Sequence, residues 1–246
     1  MLRNLTNEQI LPRIQFPIFG SNITLLYSFV ILILFSSINL FALDSTQFSI
    51  KIGFVDNEMN LLANIIKVEK ITLSFDDTLL IGKKFILSKA EYVKGKKVGE
   101  QELVKCGADT IPMVIGGDTS YYMSSDPCEK NSFHKGDSIY IIDFICDNSK
   151  SDKANLNIHY PRLHLELKIN KKPNLDLYSL RDLKACGNYT GFIPLNKKIP
   201  IIAYSPPFEM EGGAKGYCIL NYKPVAEWHK YYKLKHYVVF YLEIKD

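Results

Sequence analysis

A chain of 246 residues with a net charge of only +4 and 47% hydrophobic residues has enough material for one domain with a sizeable core. Its dense basic spots, Lys94-Gly95-Lys96-Lys97 and Lys168-Ile169-Asn170-Lys171-Lys172-Pro173, contain or abut turn residues. They read as solvated loops, which excludes the continuous basic face that a nucleic-acid partner needs.

The first element is apolar. Residues 14–43 carry no charge, and the densest part runs over 23–43. A bilayer core about 30 Å thick takes about 20 helical residues, so this segment is long enough to span one. Arg3 and Arg13 precede it, opposed only by Glu8, and Asp44 is the first charge after it. The positive-inside rule then puts everything after Asp44 on the far side of the membrane. Ser36, Ser37 and Asn39 lead to Phe41-Ala42-Leu43-Asp44, which predicts a signal-peptide cleavage point. An uncleaved signal-anchor is the alternative, with membrane contact through residues 23–43 alone. Both readings make 1–43 a targeting segment and 44–246 one exported domain, periplasmic or extracellular.

Alternation with period two marks the remainder as strands. In chain order these are predicted over 48–55, 65–75, 84–93, 111–115, 138–146, 162–169, 188–195, 199–204, 216–222 and 231–245. The apolar phase of 65–75 flips near Glu69-Lys70 and predicts a bulge. "RLHLELKI" sends Leu163, Leu165, Leu167 and Ile169 one way, and Arg162, His164, Glu166 and Lys168 the other. The run 231–245 is long enough to expect different neighbours at its two ends. Leu175 to Ala185 predicts one short helix capped by Asn174. The polar stretch 149–155 is the one candidate for a boundary between sub-domains. Turn chemistry at Lys94-Gly95, Gly116-Gly117-Asp118 and Glu211-Gly212-Gly213 separates the runs. The fold class is mainly β: an antiparallel sandwich or barrel-like domain following the apolar segment.

All five cysteines follow the apolar segment, as expected where disulfides persist, and C-x-x-C spacing, the mark of a zinc ribbon or a thioredoxin-like centre, is absent. Spacing alone leaves many pairings open. Cys106 with Cys128 and Cys186 with Cys218 are preferred because each pair brackets a turn-rich stretch, and each bridge would contribute about 3 kcal/mol. Cys146 closes the apolar run "SIYIIDFIC" and reads as a buried small hydrophobe.

Several polar residues are candidates for chemistry. Asp118 and Ser120 lie in "GGDTSYYMSSDPC", where the plainer reading is a strand–turn–strand. Asp143 interrupts an apolar strand, and burying it costs several kcal/mol without a partner. His159 and His164 are five apart, and His229 and His236 seven apart, so in unbroken strands each pair points to opposite faces. Neither pair has the spacing that puts two imidazoles on one metal, and no metal or cofactor is expected. His164 beside Glu166 is the best acid–base pair. Tyr121, Tyr122, Tyr231, Tyr232, Tyr237 and Tyr241 line either a ligand face or, by default, a packed sheet.

The loop "AYSPPFEMEGGAKGY" and the strand after it resemble the C-terminal domain of TonB-type energy transducers. The likeness covers residues 203–222 and lacks that family's Pro-rich linker, and no functional residue is carried over. The function expected is therefore an exported, non-catalytic binding or interaction module with a protein or small-molecule partner. The alternatives are an exported hydrolase with a dispersed site, for which Asp118, Ser120, Asp143 and His164 (with His159) are candidates, and a membrane-tethered component of an envelope complex.

Overall fold

A computed structural model describes residues 45–107, 110–115, 118–123, 126–130, 132–171, 177–184, 189–209, 215–216 and 223–246. The apolar segment with its cleavage point, Asn174, Cys186 and Cys218 lie outside the described residues.

The chain is mainly β, with two antiparallel sheets. One has six strands in the order β11 (Tyr189–Pro194), β1 (Ser45–Ile52), β2 (Val68–Phe75), β7 (Tyr140–Asp147), β8 (Lys153–His159) and β9 (His164–Asn170). The other has five: β10 (Ser179–Asp182), β12 (Ile199–Ser205), β15 (His236–Lys245), β3 (Lys84–Val93) and β4 (Lys96–Glu102). Two small ladders, β5 (Thr110–Ile115) with β6 (Asp118–Met123) and β13 (Phe208–Glu209) with β14 (Lys215–Gly216), stand apart from both.

One apolar cluster draws on both large sheets. Ile71, Leu73 and Phe75 of β2 and Tyr140, Ile142 and Phe144 of β7 share it with Phe85 and Leu87 of β3 and Val238, Phe240 and Leu242 of β15. The Phe144 and Phe240 rings meet edge-on at 5.8 Å, and those of Phe75 and Phe85 at 5.1 Å. Each such side chain contributes about 1.5–3 kcal/mol on full burial, so the period-two pattern sets which face turns inward. Two facing antiparallel sheets around one core are consistent with a β-sandwich.

The five-stranded sheet is covered on its other face as well. Tyr92, Ala203, Tyr237 and Val239 pack there against Trp228 and Leu234, from the segment preceding β15. This explains why β15 reads apolar on both sides. The expected strand start at 231 is instead helical: α2 (Trp228–Tyr232) is pinned by the Trp228 indole donating to the Lys223 carbonyl at 3.0 Å, and Lys233 ends it at φ 57°. Nor does β15 change neighbours along its length, since it pairs with β3 from His236↔Val93 to Lys245↔Lys84.

Three other expectations are corrected. Residues 179–182 form β10, paired with β12, where a helix was expected over 175–185; Tyr178 and Leu180 alternate into the core, which a strand permits. The register between β2 and β7 runs without a shift from Val68↔Asp147 to Phe75↔Tyr140, so there is no bulge at Glu69-Lys70. The apparent phase flip marks the end of α1 (Asn57–Ile65), after which Lys67 at φ 58° turns the chain into β2. That helix is started by Asp56, whose carboxylate accepts from the Glu58 and Met59 N–H groups at 2.6 and 3.2 Å. Finally, the polar stretch 149–155 is no boundary, because it joins β7 to its neighbour β8 within one sheet.

The hairpin between β3 and β4 turns at Lys94 and Gly95, both at positive φ. A Cβ on Gly95 would stand 2.7 Å from the Ala226 carbonyl oxygen, so close approach requires glycine there as well as the turn.

Candidate functional site

The Cys106 and Cys128 sulfurs are joined at disulfide distance, with Cα atoms 5.1 Å apart. Asp126 clamps both ends of the bridge: its Oδ1 accepts from the Gly107 N–H at 3.0 Å and the Cys128 N–H at 2.8 Å. These hydrogen bonds, the Gly107 one above all, hold the Asp126 carboxyl below the usual carboxylate range. Among the described residues, Cys106, Asp126 and Cys128 are the one grouping of three metal-type ligands, and its sulfurs are bonded to each other. Cys146 is fully buried, and burial pushes its thiol up.

Asp118 and Ser120 fall on β6, and their side chains lie outside the described residues. Asp143 sits on the outer face of β7, inside the sheet and away from its edge. Its carboxylate accepts from the Thr72 hydroxyl at 2.5 Å and pairs with Lys70 Nζ at 2.9 Å. Both partners come from the neighbouring strand β2, so Asp143 has the compensation its position demands and does not reach His164.

His159 and His164 overturn the expectation that they point to opposite faces. The chain reverses between them, and they are direct cross-strand partners of β8 and β9. Their rings are 4.3 Å apart with Nδ1 to Nδ1 at 3.2 Å, and His164 Nε2 lies 3.4 Å from Glu166 Oε1. Asp143 is the register partner of His159 on the β7 side, so Asp143, His159 and His164 form one row across three strands. The turn is pinned by Arg162, whose Nη2 donates to both Asp137 oxygens at 2.8 and 3.0 Å while Nη1 donates to the Ser132 carbonyl at 3.2 Å.

His229 and His236 belong to different elements, α2 and β15, because the strand is broken between them. His229 Nδ1 lies 3.0 Å from the Leu234 carbonyl oxygen. His236 holds an arrangement with no local signal in the sequence. Its Nδ1 shares a 2.6 Å hydrogen bond with the Tyr178 hydroxyl, and its Nε2 lies 2.9 Å from Glu91 Oε1. This hydroxyl–imidazole–carboxylate chain spans the flank of β10, β15 and β3. His236 and Tyr178 are only 2% and 4% exposed, whereas Glu91 is half exposed.

A second polar knot lies beside it. Glu69 accepts from the Ser179 hydroxyl, from the Leu180 N–H at 2.7 Å and from the Asn148 amide at 2.8 Å. Asn148 in turn accepts from the Tyr204 hydroxyl at 2.6 Å. A cleft of about 290 Å³ opens here, with Lys67, Glu69, Asn148, Tyr178 and Arg181 in its wall. None of these residues stood out in the sequence; an isolated Glu in the alternating run "VEKITLSF" was the one available hint.

The aromatic candidates pack. Tyr237 is buried and donates to the Val225 carbonyl at 2.7 Å, Tyr241 meets the Tyr92 hydroxyl at 2.8 Å, and Tyr232 lies against Phe208. Tyr231 is exposed beneath the Lys223 ammonium, 4.5 Å from its ring centre. The side chains of Tyr121 and Tyr122 lie outside the described residues. Among the described residues, no helix is long and apolar enough to cross a membrane. No protein-family model, curated protein or solved structure matches the chain.

Proposed function

We propose that the chain is an exported binding or interaction domain that works without catalysis in a periplasmic or extracellular space. The observation that carries this reading is the state of the Tyr178–His236–Glu91 chain. It has the ingredients of an activated hydroxyl, yet Tyr178 and His236 are only 4% and 2% exposed and both imidazole nitrogens are engaged. A nucleophile must touch its substrate, and a tyrosine whose hydroxyl is held by a buried imidazole, the residue being 4% exposed, is poorly placed to do so. Asp143, the other carboxylate of interest, is engaged by Lys70 and Thr72. Among the described residues, the outer face of the six-stranded sheet and the Glu69–Arg181 cleft offer surfaces suited to recognition.

Export is supported by the uncharged run 14–43 and by the cysteine pair at disulfide distance. The partner is a protein or small molecule, and contact with a membrane is through residues 23–43 if that segment is retained. The test is to isolate the native protein, determine its N-terminal mass and thiol state, and map co-purifying partners. A mature chain starting near Asp44, or an anchored full-length chain, with Cys106 and Cys128 oxidised supports the reading. A full-length cytosolic chain with reduced thiols overturns the export. Hydrolysis of any ester, peptide or glycoside substrate that disappears in His236→Ala but survives in His134→Ala, a control at an exposed histidine, overturns the non-catalytic assignment.

A further inference from the structure

We propose that His159 and His164 form a binding site for a divalent transition-metal ion of the kind imidazole favours, such as Zn²⁺, Ni²⁺ or Cu²⁺. The inference stands apart from the binding reading above, since it needs only the β8–β9 hairpin.

Hairpin geometry brings the rings together. The Tyr160 N–H donates to the Leu163 carbonyl at 2.8 Å across the Pro161-Arg162 turn. The next pair outward, His159 and His164, is then a non-hydrogen-bonded cross-strand pair, the class in which side chains stand closest. The separation of the two Nδ1 atoms, 3.2 Å, matches what a chelated ion requires. Two nitrogens each about 2.0–2.1 Å from one ion, at tetrahedral to right-angled geometry, lie about 2.9–3.4 Å apart. The two nitrogens, which share one proton in a hydrogen bond, are therefore already at chelating distance with no movement of the backbone, and the ion would take the place of that proton.

The surroundings favour a cation. Glu166 Oε1 lies 3.4 Å from His164 Nε2, placed to accept the Nε2 proton. That tautomer leaves the His164 Nδ1 lone pair facing His159, the carboxylate–imidazole–metal order found where a ligand histidine is held by a second residue. Asp143, in register with His159, adds a neighbouring carboxylate, although Lys70 neutralises it in part. The frame is rigid: Arg162 ties the turn to Asp137 and Ser132, and burial of Ile158 and Ile169 fixes the register of the two strands. His164 is 43% exposed, so the remaining coordination positions open to water or to a donor from a partner.

The test is equilibrium titration of the detergent-purified full chain with ZnCl₂ in competition with a chromophoric chelator, repeated with CuSO₄ under electron paramagnetic resonance. One equivalent is expected, with nitrogen hyperfine structure from two imidazoles. His159→Ala and His164→Ala each weaken that site at least 10-fold and the double variant abolishes it, while His134→Ala leaves it unchanged. Glu166→Gln weakens it about 10-fold, as loss of an orienting carboxylate does. His159→Asn/His164→Asn, which keeps polar side chains in the hairpin, must behave like the double alanine variant. A wild-type chain that takes up no Zn²⁺, or a double variant that keeps wild-type affinity, overturns the proposal.

Discussion

The molecule holds two histidine arrangements built from the same chemistry and put to opposite uses. His236 lies inside the five-stranded sheet region with one nitrogen on the Tyr178 hydroxyl and the other on the Glu91 carboxylate. His159 and His164 lie on the open face of the six-stranded sheet with two Nδ1 atoms turned toward each other. In the first, a full set of partners consumes the donor and acceptor capacity of the ring and makes it part of the scaffold. In the second, the two Nδ1 atoms share a single proton on an exposed face, and that proton is what a metal ion can replace. A catalytic-looking set of residues is thus no guide to chemistry until its exposure is known.

The contrast can be broken first at its buried pole. His236→Ala removes the 2.6 Å imidazole partner of the buried Tyr178 hydroxyl and opens a cavity, and it is expected to cost about 3 kcal/mol in urea unfolding. A cost below about 1 kcal/mol would show that the chain contributes little to the scaffold. Glu69→Ala strips the acceptor from Ser179, Leu180 and Asn148 together and should cost about 2 kcal/mol, read as a lower midpoint at unchanged m-value. The exposed pole should barely respond: His159→Ala/His164→Ala is expected to shift metal-free stability by less than about 0.5 kcal/mol.

The smallest effect concerns pH. Glu100 on β4 accepts hydrogen bonds from Lys198 and Lys97, the Lys198 bond chiefly lowering its carboxyl from 4.5 to about 2. A depressed folded value means the contribution is complete above the ordinary value and drains away as pH falls from about 4.5 toward 2. The group is exposed enough for solvent to screen it, so the loss is a few tenths of a kcal/mol, and Glu100→Gln should flatten that part of the acid limb. An acid limb unchanged in the variant would remove the pair from the account.

What could be read from the residues follows from where each pattern had something to bury. The strands over 84–93 and 199–204 sit in the middle of a sheet, and their bounds were legible within a residue. β4, "KKVGEQE", is an edge strand exposed throughout, so no apolar period marks it. β8 does alternate, with Ala154, Leu156 and Ile158 inward, but its outward Asn155 and Asn157 continue the polar stretch before it and disguise the start. Residues 175–185 mislead because Leu, Tyr and Arg suit a helix as well as a strand, and only pairing with β12 decides. The His159–His164 pairing was readable in principle from Tyr160-Pro161-Arg162-Leu163 taken as a two-residue turn with its flanks. The Tyr178–His236–Glu91 chain was not, since three separate elements supply it and no local spacing records their meeting.

The position of β15 also governs assembly in time. Residues 236–245 are the inner partner of both β3 and β12, yet they leave the ribosome after every other strand of that sheet. Until they arrive, β3 and β12 each carry an unsatisfied ladder with a sticky rim, the condition that invites pairing with another molecule. Folding of this sheet is therefore committed only once residues 236–245 are free to pair, and a chain cut short before residue 236 yields a species prone to associate with its own kind.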